Sequence, residues 1–389
     1  MGNSHGKDAV KHLALAALAC ISLLGRASAA SAIEHVTLMH AGAEKQIAGK
    51  LLVEAQDGGV IVLTPDGRLW AVEPQNIVKR SSDDVPYEPL SREAMAKQLS
   101  AELPGFKVHQ TEHYLIYYDT SRAYAEWCGS LYERLYRGFY DYWRDRGLTL
   151  QDPPTPLVAL VFQNKKSYET YARGDYGGAT PPPYGYYNQD SNYVLTFDMT
   201  GVEGAGFGER AGIAARVNAI LSRPGAEGTV ATIIHEATHQ LSFNSGMHQR
   251  RADVPRWLTE GMAIYFESPD LKNARGWNKI GTVNKLRLRP FHQYLASRPA
   301  DSLATLITSD NRLMNVRTAD AAYAEAWALN YFLIRNYQKQ YTKYLQTLAA
   351  KETMLFDTPE QRLKDFQDAF GEDLTKLDAA FVKYMVKVK

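Results

Sequence analysis

Residues 229–267 read TVATIIHEATHQLSFNSGMHQRRADVPRWLTEGMAIYFE, and the rest of the chain is organised around them. Within this stretch His235-Glu236-Ala237-Thr238-His239 sets two histidines one helical turn apart, with an acid after the first. Side chains spaced this way share one face of a helix, so both imidazoles can meet one ion while Glu236 lies beside them to hold a water. A hydrolytic zinc site takes three protein ligands and leaves a fourth position for water. The third ligand has to come from elsewhere, and Glu260 is the best placed. The run from Trp257 to Phe266 starts just after Pro255, a good first-turn residue, and stops before Pro269. It is apolar over most of its circumference, so it reads as a buried helix with one carboxylate inside. Burying a lone carboxylate is costly, and a metal removes that cost. The competing reading is a chance motif on a core helix with Glu260 in a salt bridge. The second acid, on its own buried helix at this separation, weighs against it.

The 389-residue chain is long enough for two or three domains and a large core. Its formal net charge is +1, and removing residues 1–29 takes away Lys7, Lys11, Arg26 and Asp8, leaving about −1. Such a balance gives no electrostatic footprint for nucleic acid. The 24 tyrosines suit a packed protein and not a disordered one. At the start, Lys7 and Lys11 precede an apolar run over 13–24, and Ala27-Ser28-Ala29 offers a small-x-small cleavage site. That is the pattern of a secretory signal cleaved after Ala29, and it predicts a secreted or periplasmic protein. The apolar run is about half the length of a membrane span, so no span is expected after cleavage. Lipidation at Cys20 is disfavoured by Ala17 three residues earlier, where Leu is usual. The mature chain then keeps Cys128 alone, a buried and inert thiol with no internal disulfide.

Residues 33–80 alternate short apolar runs (35–39, 47–53, 60–64 and 69–72) with turns at Asp57-Gly58-Gly59 and Asp66-Gly67. They predict a small SH3-like β-barrel module in a structural or anchoring role. The polar segment 80–86 reads as the start of a linker over 81–95. A helix over 92–103, a strand over 113–118 and a long helix over 122–146 follow. Ala125, Cys128, Leu131, Leu135 and Phe139 share one face of that long helix, and its stripe of Tyr132, Tyr136, Tyr140 and Trp143 reads as packing. Next come a strand over 157–162, a helix over 165–172, a Gly/Pro/Tyr-rich loop over 177–187 and a strand over 193–197. Residues 201–228, rich in glycine, form either a flap or a disordered surface insertion. Helices follow near 290–297, 303–308, 319–338, 341–350 and 360–387. The domain plan is therefore a catalytic unit over 96–268 completed by a helical part over 269–389, and the fold class is α+β.

The wording His-Glu-Ala-Thr-His-Gln at 235–240, then Trp-Leu-Thr-Glu-Gly-Met-Ala-Ile-Tyr-Phe-Glu at 257–267, resembles the gluzincin metallopeptidases of the MA clan. That group includes thermolysin and the M1-type aminopeptidases, and the wording is most similar to a bacterial domain-of-unknown-function family within it. The resemblance covers roughly residues 100–345 and is specific over 229–267. It implies a zincin-like catalytic domain with one zinc per chain, held by His235, His239 and Glu260, and Glu236 as general base. Tyr323, in Tyr323-Ala-Glu-Ala-Trp-Ala-Leu329, is similar in spacing and wording to the tyrosine that stabilises the oxyanion in the M1-type enzymes. The chain departs from those aminopeptidases in having no Gly-x-Met-Glu-Asn segment before the histidines, so it lacks their acidic anchor for a substrate amino terminus.

The chemistry these residues imply is zinc-assisted hydrolysis of a peptide or protein substrate. Glu236 takes a proton from water and passes it to the leaving amine, and Tyr323 donates to the oxyanion. Glu267, seven residues after Glu260 and on the same helix face, is a candidate acceptor for the outer nitrogen of a zinc-bound histidine. Two rival readings are an inactive zinc-binding protein and an interaction protein working through its N-terminal module. Glu236 argues against the first, because a purely structural site has no use for a base.

Overall fold

A computed structural model describes residues 32–200, 227–267 and 280–389. The expected signal segment, with Cys20 and the expected cleavage site at Ala29, and nearly all of the 201–228 stretch lie outside the described residues. No helix among the described residues is long and apolar enough to cross a membrane. The architecture is α+β, with two five-stranded sheets and twelve α-helices among the described residues.

The first sheet comprises β1 (Ala32–His40), β2 (Ala43–Glu54), β3 (Val60–Leu63), β4 (Leu69–Val72) and β5 (Ile77–Pro86), in the order β4-β3-β2-β1-β5 and antiparallel throughout. Alternate residues Val36, Leu38, Val60 and Val62 turn inward with Ile47 and Val72 to make its small core. Two expectations are corrected here. The sheet is not a closed barrel, since its edge strands β4 and β5 do not pair among the described residues. The polar segment 80–86 is no linker but most of β5. Its charges sit on an exposed edge strand, where they find partners: Arg80 donates to Glu34 and Glu54, and His35 Nε2 meets Asp83 Oδ2 at 2.6 Å. This module docks on the second sheet, where the Leu69 amide donates to the Asp190 carbonyl (2.7 Å) and Arg68 pairs with Glu102 (2.8 Å).

The second sheet is mixed and runs β6-β7-β8-β10-β9, with β6 (Lys107–Gln110), β7 (Tyr114–Tyr118), β8 (Leu157–Phe162), β9 (Gly185–Asn188) and β10 (Tyr193–Phe197). Strands β7, β8 and β10 are parallel and almost wholly buried, while β6 and β9 are antiparallel edges. The predicted loop over 177–187 therefore ends in a strand, β9, which pairs with β10 through Tyr186↔Leu195 and Tyr187↔Val194. Around this sheet lie α1 (Arg92–Glu102), α2 (Arg122–Arg144) and α3 (Lys165–Asp175). The tyrosine stripe of α2 is packing, as predicted: Tyr132 stacks on Tyr114, and Tyr136 on His113 and Tyr140. Cys128 is buried in the same layer.

The carboxy-terminal half is helical, from α4 (Glu227–Asn244) and α5 (Arg256–Phe266) to α6 (Lys285–Tyr294), α7 (Ser302–Thr308), α8 (Asn311–Met314), α9 (Ala319–Asn336), α10 (Gln338–Ala349), α11 (Pro359–Phe370) and α12 (Leu374–Met385). Two boundaries differ from expectation. Pro290 lies inside α6 instead of starting it, because the Asn284 side chain caps the helix earlier by accepting from Leu286 and Arg287 amides (3.1 and 3.3 Å). The single helix expected over 360–387 is two, broken where Gly371 takes φ +100°, a conformation a helix cannot hold.

Candidate metal centre

Helix α4 owes its place to polar groups tied to the sheet as much as to apolar burial. The Gln240 amide donates to the Val158 carbonyl (3.0 Å) and the Asn192 carbonyl (2.8 Å), which pins α4 across β8 and the turn before β10. Val230, Ile233, Ile234, Ala237 and Leu241 face the core, so His235, Glu236 and His239 come out on the opposite, cleft side. The hydroxyls of Thr238 and Ser242 fold back onto the Ile234 and Thr238 carbonyls, so both buried hydroxyls are paired.

Helix α5 starts after Pro255, its first amide satisfied by Asp310 Oδ1 (2.9 Å). Residues Trp257 to Phe266 are all buried. Gly261 explains the Glu-Gly pair physically, because a Cβ there would collide with the Asn330 side chain and the Ala326 carbonyl of α9. Only a glycine lets α5 and α9 approach this closely, and that approach brings Glu260 to the histidines.

The three proposed ligands converge. His235 Nε2 lies 3.1 Å from both Glu260 Oε2 and His239 Nε2, and His239 Nε2 lies 3.7 Å from Glu260 Oε2. Donors at about 2.0–2.1 Å from a tetrahedral zinc are about 3.3 Å apart, so the triangle has the right size for one ion. The other ring nitrogen of His235 meets Glu267 Oε1 at 2.7 Å. With Nδ1–H donated there, the Nε2 lone pair points at a carboxylate and at a second imidazole, an arrangement that a cation relieves and a neutral void does not. Glu267 Oε2 in turn accepts from Asn284 Nδ2 (3.2 Å). The residue set fits a metal.

Protonation follows the same logic. Burial pushes His235 down, but Glu260 and Glu267 outweigh it and hold the imidazole well above its ordinary range. Burial pushes Glu260 up, and His239 and His235 outweigh that, holding it well below the usual carboxylate range. The cluster thus draws positive charge to the Glu260 carboxylate. For Glu236 burial dominates and raises its pKa against the opposing histidines. Its Oε2 accepts from the Tyr187 amide of β9 (2.9 Å), a contact hidden from the sequence while 177–187 reads as loop.

All of these side chains face one cleft of about 610 Å³ between α4, α5 and the edge strand β9. Tyr323, in the first turns of α9, lines it too; burial raises its phenol to about 12, with Glu260 adding to the effect, so it is a neutral donor at working pH. Arg256 and Arg287 also line the cleft, and no sequence signal singles them out, since neither belongs to the motif. A second cluster, Glu112, His113 and Glu133, has the donor types for a metal. Of its two acids Glu112 is exposed, and the buried Glu133 is already used, accepting from His113 Nδ1 (2.8 Å), the His113 amide (2.7 Å) and Thr111 Oγ1 (2.6 Å).

Among known proteins, the family model described as a protein of unknown function, DUF1570, matches residues 229–354. The matched segment holds the histidines, Glu260, Glu267 and Tyr323. No curated protein matches the chain.

Proposed function

We propose that the chain is a secreted zinc metallopeptidase of gluzincin type. In this reading the second sheet with α4 and α5 is a zincin-like catalytic unit, and the first sheet is a partly open SH3-like module in a structural role. The observation that carries the reading is the convergence of His235, His239 and Glu260 to within 3.7 Å of one another, with Glu236 on the same face of the same cleft. A structural zinc site is closed by four ligands, whereas this one offers three and opens on the cleft.

Zinc held there supplies a Lewis acid that polarises a carbonyl and acidifies water. The chain's own residues do the rest. Glu236 accepts a proton from water and delivers it to the departing amine. Tyr323 donates its hydroxyl to the negative oxygen that develops. Glu267 keeps His235 in the tautomer whose Nε2 lone pair faces the ligand position. The edge strand β9 gives an extended peptide a backbone to lie along.

The test is Glu236→Gln. Gln preserves shape and still accepts the Tyr187 amide, but it cannot take a proton. The expected result is one zinc per chain, an unchanged fold, and peptide hydrolysis reduced by about 10²–10⁴. The measurement is product analysis of a mixed peptide library, with and without chelator. Hydrolysis that persists in this variant, or no hydrolysis by the zinc-loaded native protein, would refute the proposal.

A further inference from the structure

Three little-exposed arginines elsewhere among the described residues are spoken for. Arg298 meets Glu325 and Asp378, Arg312 meets Glu325, and Arg362 meets Asp253 and Asp310, each at ordinary ion-pair distances. The two arginines of the metal cleft are different. Arg256 opens α5, and its nearest carboxylate oxygen among the described residues, Glu260 Oε1, is 3.8 Å away, beyond a hydrogen bond. Arg287, in the first turn of α6, forms no ion pair among the described residues and instead stands 5.8 Å from the centre of the Tyr323 ring. Neither guanidinium donates a hydrogen bond to a described residue, though both line a concave, partly enclosed site.

The acids of the cleft cannot answer them. Glu236, Glu260 and Glu267 are the carboxylates in its lining, and they are held by the Tyr187 amide, by the two histidines, and by His235 with Asn284. With a dication bound, two guanidiniums leave the cleft net positive. The lining also includes Tyr176, Pro182, Tyr186 and Tyr187, which bring no charge.

Resting on the metallopeptidase reading, we propose that Arg256 and Arg287 form an anion subsite that recognises a carboxylate of the substrate close to the scissile bond. A guanidinium offers parallel N–H donors that match a carboxylate edge-on, and both chains reach the cleft from helix starts that fix their roots. The carboxylate comes either from an Asp or Glu side chain or from a free carboxy terminus, and the two sources share this chemistry. Charge-assisted bonds of this kind are worth about 10- to 100-fold in preference for the acid over its amide.

The test uses three sets of acetylated hexapeptide pools. In the first two a Glu or a Gln is walked through otherwise randomised, amidated hexapeptides; the third repeats the Gln pools with a free carboxy terminus. Two quantities are measured: kcat/KM with the zinc-loaded protein, and binding to the zinc-loaded Glu236→Gln protein by calorimetry. The expected result is an acid-over-amide ratio of about 10–100 at one position, which falls toward one in Arg287→Gln and in Arg256→Gln and is partly kept in Arg287→Lys. The set that shows the ratio identifies the source, side chain or terminus. Equal treatment of acids and amides, or a ratio that survives both arginine-to-glutamine changes with zinc content intact, overturns the subsite. If no pool is cleaved but the calorimetric ratio holds and obeys the substitutions, the subsite stands and the peptidase reading fails.

Discussion

Two acids on adjoining helices, Glu260 of α5 and Glu325 of α9, show two ways to bury a carboxylate. Glu325 is wholly buried and held by two permanent cations, Arg298 Nε at 2.7 Å and Arg312 Nη2 at 2.6 Å, while the Ser302 hydroxyl donates to it at 2.8 Å. Both of its oxygens are already bonded, and it is not among the residues that line the cleft. Glu260 is 9% exposed and faces two imidazoles, which have no obligatory charge, with its nearest arginine at 3.8 Å. The difference lies in the partners: fixed cations close a site, and histidines leave it to be closed by an ion. A buried carboxylate is thus informative about function only through the company it keeps.

The comparison predicts opposite phenotypes for the two removals. Glu325→Ala leaves two buried arginines facing each other and should cost about 3–5 kcal/mol in urea denaturation, with zinc per folded molecule unchanged. Glu260→Ala should lose the stoichiometric zinc, measured after dialysis, while the chelated protein is destabilised less than in Glu325→Ala. Full zinc occupancy in Glu260→Ala would erase the distinction between the two acids. So would loss of zinc from a still-folded Glu325→Ala.

Acidity sharpens the same contrast. Glu260 and Glu267 hold His235 well above its ordinary pKa, so a proton competes with the metal for that imidazole at pH values above the usual histidine range. Zinc binding should release protons to buffer, and apparent affinity should fall steadily as pH is lowered through that range. Zinc affinity independent of pH from 8 to about 6 would contradict this.

How much of this could be read from the chain depends on whether the cause was local. The triad was readable because helix geometry alone sets His235 against His239, and because an isolated acid in an apolar helix, Glu260, asks for a partner. Glu267 followed from the same periodicity. What stayed hidden was set by tertiary partners. The edge strand β9 looks like loop because Gly185 to Asn188 is short and follows prolines, and only its ladder with β10 makes it a strand. Arg256 and Arg287 look like ordinary surface charges until α5, α6 and α9 converge. The segment 80–86 was misread because charge suggests solvent, and an edge strand is exposed to solvent on one side.

A smaller effect separates the cleft wall from the core of the same helix. Tyr323 lines the cleft, whereas Tyr331, two turns on, is packed against Trp327 and Tyr265. Tyr323→Phe should reduce kcat by about 10–10³ with zinc and fold unchanged, and Tyr331→Phe should leave kcat close to that of the parent. Reversal of the two phenotypes would move the oxyanion donor off Tyr323.

The smallest effect concerns how the Glu260 site is held together from behind. Glu267 touches His235 on the nitrogen that faces away from the ligand position, and its second oxygen holds Asn284, whose own side chain caps α6. One carboxylate therefore orients a candidate metal ligand and anchors the helix that carries Arg287. Partners of this kind are typically worth about 10–100-fold in metal affinity. In Glu267→Gln the amide oxygen can still accept from His235 Nδ1, while the charge and the acceptor that faced Asn284 Nδ2 are lost, so the decrease should fall near the lower end. Glu267→Ala removes the acceptor as well and should fall near the upper end. Competition with a zinc-binding dye measures both. Equal affinities in parent, Gln and Ala proteins would mean that His235 is oriented by the packing of α4 alone. In that case Glu267 would serve only to secure the start of α6, and a loss of stability without a loss of zinc would reveal it.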